Sequence, residues 1–387
     1  MDTTAWVAGF RSAVLSPHEI IKISPSRGFH DQTLRQILHL DGGGEAVRVR
    51  LSNEYGKEPL VIAAARLAIR AERGDAVDPS ADTALLPGTD RPLRFGGAAE
   101  VTVPVGEVVQ SDPVELAVSA GTDLVLSLYL PEDTGLATFA HTPSQSAYAV
   151  SGNHVSAAVL DGAEEADGRY YVTGVDVLAP QGTAIAVAFG DSWLEGTGTS
   201  TGTNRRFPNQ LNRRLGRGWV VNQGIGGNRL LTDEVGPHGL ARFDRDVLGV
   251  PGATHVIFHF GLNDLGLPGM SGEPPATAED LIEGYTTLAG RARSAGLTTI
   301  GMTMGPYAGT VYPGVDSPEG RVIRRQVNDW LRTSTVFDAV VDIAAAVQDP
   351  DAPDFIRPDL DSGDHLHLND EGAREMAEAV DLALLEL

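Results

Sequence analysis

Cysteine is missing altogether from the 387 residues of the chain. Its absence excludes disulfides, thiolate metal sites and a cysteine nucleophile. Long apolar runs are missing too: none approaches the ~20 residues of a membrane-spanning helix. The opening MDTTAWVAGFRSAV lacks the basic segment and apolar core of a secretory signal. The sequence therefore reads as a cytoplasmic protein, or as a secreted one whose leader has been removed. Basic residues are scarce, with 29 Lys and Arg against 52 Asp and Glu and a net charge of −23. Nucleic-acid phosphates and anionic membrane surfaces would be repelled. The expected partner is a small neutral or cationic substrate, and the acidity also serves solubility.

Hydrophobic residues make up 42% of the chain, ample for burial, and the length suits two domains of about 100 to 200 residues each. From Trp6 to about Tyr171 the pattern is short strands between turns. Alternating or β-rich runs fall at Gln32–Leu40, Ala46–Leu51, Leu60–Ile69, Glu100–Val105, Val114–Val118 and Asp123–Leu130. Turn chemistry separates them at Asp41 to Gly44, Asn53 to Gly56 and Pro87-Gly88. These features predict an all-β sandwich of jelly-roll type over residues 1–180. The acidic stretch Asp161–Gly168 is expected to be an exposed loop, and the strand at Tyr170–Val177 suits either side of a boundary placed near Pro180.

Over residues 181–387 the rhythm changes to strand, loop, helix. Strands are predicted at Ala184–Phe189, Trp219–Asn222, His255–Phe260, Thr299–Met304 and Val340–Ile343. Helices are predicted at Asn209–Leu215, Leu240–Val247, Ala278–Ser294, Pro318–Arg332 and Asp370–Leu385. The Ala278 helix begins with Glu279, Asp280 and Glu283 and ends with Arg291 and Arg293, which complements its macrodipole, and Gly296 stops it. Alternating β and α elements with near-continuous apolar strands imply an α/β fold, a parallel sheet covered on both faces.

Four short motifs carry candidate chemistry. Gly190-Asp191-Ser192-Trp193 delivers one hydroxyl to the end of a buried strand, where open parallel sheets bind ligands. Asn222 to Arg229 (NQGIGGNR) is glycine-rich and able to present backbone N–H groups to an oxyanion. It lacks the spacing of a dinucleotide site. Gly261-Leu262-Asn263-Asp264 offers an amide donor. Asp364-His365-Leu366-His367 places a carboxylate three residues before a histidine, so that it can fold back, fix the imidazole tautomer and stabilise the imidazolium. Each motif taken singly is also ordinary loop or capping chemistry. His365 is expected to point away from His367. His255 and His259, at i and i+4 on one strand face among phenylalanines, read as core residues and not as metal ligands.

In their order along the chain, Ser192, Gly227, Asn263 and the Asp364–His367 pair resemble the SGNH or GDSL hydrolase superfamily of serine esterases and lipases. The resemblance covers about Ala184–Leu387. GDSW stands where the family name has GDSL, and Leu368 replaces a proline often found after the family's histidine. The resemblance implies a three-layer, flavodoxin-like domain. It also implies Ser192 as nucleophile, His367 as general base and acid, and Asp364 as its orienting group. The oxyanion hole would be the Ser192 and Gly227 amides with the Asn263 side chain, and neither cofactor nor metal is required. The literal string Ser151-Gly152-Asn153-His154 in the β region is a coincidence, since the family's four letters name dispersed residues.

The expected reaction is hydrolysis of short acyl esters, with acetyl groups on a sugar or a glycosylated small molecule as substrate. Some carbohydrate esterases carry an appended β-sandwich of this kind. With 11 Phe, 4 Trp and 5 Met and no apolar lid helix, a lipase is disfavoured. Two alternatives remain open: an acyltransferase working through the same acyl-enzyme, and a non-catalytic glycan-binding protein.

Overall fold

Period-two runs of Val, Leu, Ile and Thr become antiparallel sheet throughout the first of two units into which the chain divides, Met1–Gly182 and Thr183–Leu387. The computed structural model describes residues 3–19, 21–72 and 82–385. In the first unit the Gln32–His39 and Asp123–Leu130 strands pair along their full length inside a six-stranded sheet. The Val172–Pro180 strand lies between Thr4–Arg11 and Val47–Ser52 in a four-stranded one. It therefore belongs to the first unit.

Three segments of this unit differ from the pattern expected of their sequence. The run Leu60–Ile69 is two strands: Leu60–Ile62 pairs with Val101–Val103, and Ala64–Ile69 pairs with Asp123–Leu130. Val114–Val118 forms only isolated bridges at its ends, to Val47 and Gly44. Between those bridges Glu45 and Ala46 exchange hydrogen bonds with Leu178 instead. Within the acidic stretch expected to be a loop, Glu164–Ala166 pairs with Ala147–Ala149. Glu164 and Glu165 face solvent while Ala166 is buried, so this is a charged edge strand, a form that resists pairing with other chains.

The second unit is built on a five-stranded sheet in which every pairing is parallel. Its order is Trp219–Gly224, Ile185–Gly190, Ala253–His259, Thr298–Met302, Ala339–Val341. This is the flavodoxin-like order, which reverses direction between the first and third strands in sequence and opens a crevice there. The Ile185–Gly190 strand is buried at every position, as a central parallel strand covered on both faces must be.

The helices are α1 (Ser192–Glu195), α2 (Phe207–Asn212), α3 (Gly239–Phe243), α4 (Leu262–Met270), α5 (Ala278–Ser294), α6 (Pro318–Thr333), α7 (Ile343–Val347) and α8 (Asp370–Glu378). α5 starts on a capping box in which Thr277 and Asp280 bond reciprocally. α2 begins two residues earlier than expected, with Pro208 in its first turn, and stops where the Asn212 side chain bonds the Val220 backbone. α3 passes into a π-type turn at Asp244–Leu248. α8 is shorter than expected: Arg214 takes up the carbonyls of Ala377 and Val380, and Asp381 caps a separate turn at Leu382–Leu384. α1, α4 and α7 were not foreseen. In α4 the glycines and Pro268 obscure the helical pattern, yet Gly266 packs closely there: a Cβ would lie 2.6 Å from Val315 Cγ1, which would have to move.

Candidate active site

Gly190 ends the first strand at a point where no side chain fits: a Cβ there would lie 2.3 Å from the His259 carbonyl oxygen and 2.7 Å from Leu194. The chain turns at once into α1. Asp191 is its N-cap, accepting from the Trp193 amide at 3.1 Å, and Ser192 is its first residue. The register pairs Gly190 with Gly224 on one side and with His259 on the other. The loops carrying Ser192, Gly227 and Asn263 therefore leave the sheet at one level.

The Asp364–His367 turn comes from the far end of the sequence. Asp364 Oδ1 accepts the amides of Leu366 at 2.9 Å and His367 at 2.8 Å and the Ser362 hydroxyl at 3.0 Å. These bonds fold the carboxylate back so that Oδ2 lies 2.6 Å from His367 Nδ1. His367 Nε2 lies 2.9 Å from Ser192 Oγ. A carboxylate only accepts, so the imidazole carries its proton on Nδ1 and turns the Nε2 lone pair toward the hydroxyl. Burial alone would raise the Asp364 pKa. The hydrogen bond from His367, the imidazole's charge and the two backbone amides more than reverse this, holding the carboxyl well below the usual carboxylate range. His365 pairs instead with Asp361, at 2.5 Å, and is half exposed.

On the donor side, Gly227 adopts φ 77°, a left-handed conformation suited to glycine. Among the described residues the amides of Ser192 and Gly227 donate to no protein acceptor. Asn263, in the first turn of α4, donates one amide hydrogen to the Asn228 carbonyl at 2.9 Å. This contact joins the second and third motifs.

Three features went unread in the sequence. Trp193 Nε1 donates to the Leu366 carbonyl at 3.0 Å, tying α1 to the histidine turn. Its ring stacks on His259, with centroids 5.3 Å apart. A leucine in the same place could not donate. Glu195, three residues after the serine and buried, accepts the Gly226 amide at 2.6 Å, linking α1 to the glycine-rich loop.

The third feature is Arg242 of α3. Its guanidinium donates to the Gly190 carbonyl at 2.7 Å, the Gln223 carbonyl at 2.8 Å and Asn228 Oδ1 at 2.9 Å. Asp246 lies 3.0 Å from the same group, and the Phe189 ring packs 4.2 Å from its central carbon. One buried cation thus clamps the loops that carry Ser192 and Gly227, and the residue whose carbonyl holds Asn263. Nothing local in the sequence singles it out, since Arg242 stands in the charged run Arg242 to Asp246 (RFDRD).

His259 is fully buried, 2.9 Å from Asp191, and His255 bonds Thr254. Both are core residues. Asp264, also fully buried, accepts the Leu230 and Leu231 amides at 2.8 and 3.1 Å. Desolvation outweighs those bonds and pushes its pKa up to about 6. A cavity of about 470 Å³ opens beside Arg229, Leu231, Asp280 and Glu283, and none of the five expected site residues lines it. Among the described residues no cluster of His, Asp and Glu is arranged to hold a metal ion, and no helix is long and apolar enough to cross a membrane.

The model of the GDSL-like lipase/acylhydrolase family matches residues 188–375, from within the first strand of the sheet into α8. This stretch is a GDSL-like domain. The GDSL-like domain thus contains all four motifs. No curated protein matches the chain. Among solved structures it is similar to a GDSL-like lipase from Bacteroides thetaiotaomicron VPI-5482, at 16% identity and a TM-score of 0.40, covering 53% of this chain and 88% of that one. It is similar to the aryl esterase of M. smegmatis, at 14% identity and a TM-score of 0.40, covering 52% and 97%. A carbohydrate acetylesterase family member from Sinorhizobium meliloti is similar at 17% identity and a TM-score of 0.39, covering 53% and 100%. Within the GDSL-like domain, the glycines after the serine have a steric reason. A Cβ at Gly198 would lie 2.6 Å from the Leu368 carbonyl oxygen and 3.1 Å from His367 Cβ, so only glycine lets this segment pass the histidine turn.

Proposed function

We propose that the chain is a serine esterase that hydrolyses short acyl esters, acetyl esters first, through an acyl-enzyme. The observation that carries this reading is the hydrogen-bonded line Asp364, His367, Ser192, with contacts of 2.6 and 2.9 Å. In the proposed mechanism His367 Nε2 takes the Ser192 proton as Oγ attacks the ester carbonyl. The negative charge then placed on the carbonyl oxygen is held by the Ser192 and Gly227 amides and the Asn263 side chain. His367 returns its proton to the departing alcohol, the C–O bond breaks, and Ser192 carries the acyl group. Water, deprotonated by His367, then attacks the acyl-serine; the acid leaves and the serine hydroxyl is restored. Asp364 stays ionised throughout, keeping Nδ1 protonated and balancing the imidazolium. The finer substrate class we propose is an acetylated sugar or glycosylated small molecule, which suits a strongly acidic protein that carries a β-rich unit as well as its hydrolase domain.

The test is turnover of p-nitrophenyl acetate by the folded Ser192→Ala variant, beside a panel of acyl chain lengths and sugar esters. Loss of turnover with retained folding is expected, together with a rate that falls as the acyl chain lengthens. Undiminished turnover in Ser192→Ala would reject the assignment.

A further inference from the structure

The loop from Gly309 to Val315 runs alongside the histidine turn and is pinned to it. The Val311 amide and the Thr310 hydroxyl both donate to the Asp364 carbonyl at 3.1 Å, and the Tyr312 hydroxyl lies 3.3 Å from Asp364 Oδ2. The Tyr312 ring stands edge-on to the His367 imidazole, with centroids 6.4 Å apart and planes at 77°. Gly309 lies against the Phe355 ring, where an added Cβ would approach to 3.1 Å. Further bonds anchor the loop's start: the Gly309 amide to Asp316 at 2.9 Å and the Ala308 amide to the Asp354 carbonyl at 2.8 Å.

On this fixed frame the apolar side chains are left in water: Val311 is 58% exposed, Tyr312 40% and Phe355 44%. Single exposed apolar residues are ordinary. Here Tyr312 meets the His367 ring, Val311 precedes it on the same loop and Phe355 lies against Gly309 of that loop, so the three stand on neighbouring segments beside a histidine that is only 7% exposed.

Direction decides what the patch meets. In the mechanism above, the oxygen of the departing alcohol must come within about 3 Å of His367 Nε2 to receive its proton. The carbon skeleton behind that oxygen therefore lies on the imidazole side of the ester, away from the acyl group. We propose that Tyr312, Val311 and Phe355 form the subsite for the leaving alcohol, and that the alcohol it selects presents a flat apolar face. Such a face is offered by an aromatic ring or by the C–H side of a sugar ring, both of which pack against tyrosine and phenylalanine. The Tyr312 hydroxyl, turned to Asp364, sets the position of its ring. This proposal rests on the roles given above to Ser192 and His367.

The experiment compares kcat/KM for three acetates of primary alcohols: ethyl acetate, benzyl acetate and methyl 6-O-acetylglucoside. Wild type is expected to prefer at least one ring-bearing ester over ethyl acetate by on the order of tenfold, and which one it prefers separates the aromatic from the sugar source. That ratio should fall by on the order of fivefold in Val311→Ser, Phe355→Ser and Tyr312→Ala, in line with the loss of one apolar contact surface. Because the three acetates form the same acetyl-enzyme, the ratio cancels any disturbance of Asp364 or His367 common to them. The ratio of ethyl acetate to ethyl butyrate, which probes the acyl side, should not move. No preference in wild type, or a preference untouched by the three substitutions, overturns the subsite. Turnover of all three acetates surviving in Ser192→Ala would instead remove the reaction on which it depends.

Discussion

Replacing Asp364 by asparagine tests the polarity of the line to Ser192, because the surroundings dictate how the new amide must sit. The Oδ1 position receives three donors, the amides of Leu366 and His367 and the Ser362 hydroxyl, so it must keep an oxygen. The amide nitrogen is then forced into the Oδ2 position, 2.6 Å from His367 Nδ1. A donor now faces Nδ1, which has to become the acceptor, and the ring proton moves to Nε2. There it points at Ser192 Oγ, 2.9 Å away, and the imidazole no longer accepts the serine proton. Turnover should fall on the order of ten-thousandfold, as in the triad of unrelated serine proteases, which corresponds to about 5.4 kcal/mol of barrier. The backbone bonds survive, so the unfolding midpoint should shift little. The measurement is kcat for p-nitrophenyl acetate beside urea unfolding, and a loss under tenfold in a folded variant would mean that Asp364 does not set the imidazole tautomer. The depressed pKa of Asp364 adds a sign. Its stabilising hold on the turn is present above the unfolded value near 4 and is lost only as pH falls toward its much lower folded value. Mild acid should therefore leave this contact intact.

Arg242→Lys keeps the charge beside Asp246, but one ammonium cannot span the Gly190 and Gln223 carbonyls and Asn228 Oδ1 together. We expect kcat to fall roughly tenfold to a hundredfold with KM nearly unchanged and with the affinity of a phosphonate transition-state analogue falling in step; wild-type kcat would leave Arg242 a purely structural role. Trp193→Leu removes the bond to Leu366 and part of the stack on His259. Urea unfolding should record a loss of about 2 to 4 kcal/mol, and a loss below about 1 kcal/mol would mean that the indole ties nothing. Asp264 has its pKa raised by burial to about 6, so its contribution favours the folded state below about pH 4 and disappears as pH rises through about 6, on the order of 3 kcal/mol in all. Wild type compared with Asp264→Asn should show that decline, and a difference that is flat with pH would contradict it.

Much of this was legible because the informative residues sit next to the breaks they follow. Buried parallel strands announce themselves as apolar runs, and Ser192, the Gly227 loop and Asn263 come just beyond three of them. Asp364 and His367 were readable as a pair because three residues of turn are enough to bring them together. Arg242 was not, since the Gly190 carbonyl it holds lies 52 positions away and no local pattern marks a buried clamp. Trp193 stands where the family name has leucine, and nothing local in the sequence marks that its indole reaches Leu366, across the fold. The acidic stretch at Asp161–Gly168 misled because Glu164 and Glu165 are exposed on a short edge strand, where charge is an asset and local composition reads as loop.

A serine nucleophile must become acylated, and intact-mass analysis with peptide mapping of enzyme quenched during turnover of p-nitrophenyl acetate reads the acylation of Ser192 itself. An acetyl group is expected on the peptide that contains Ser192, its accumulation lost in Asp364→Asn and the label absent from Ser192→Ala. An acetyl group on another residue, or full turnover by Ser192→Ala, would contradict it.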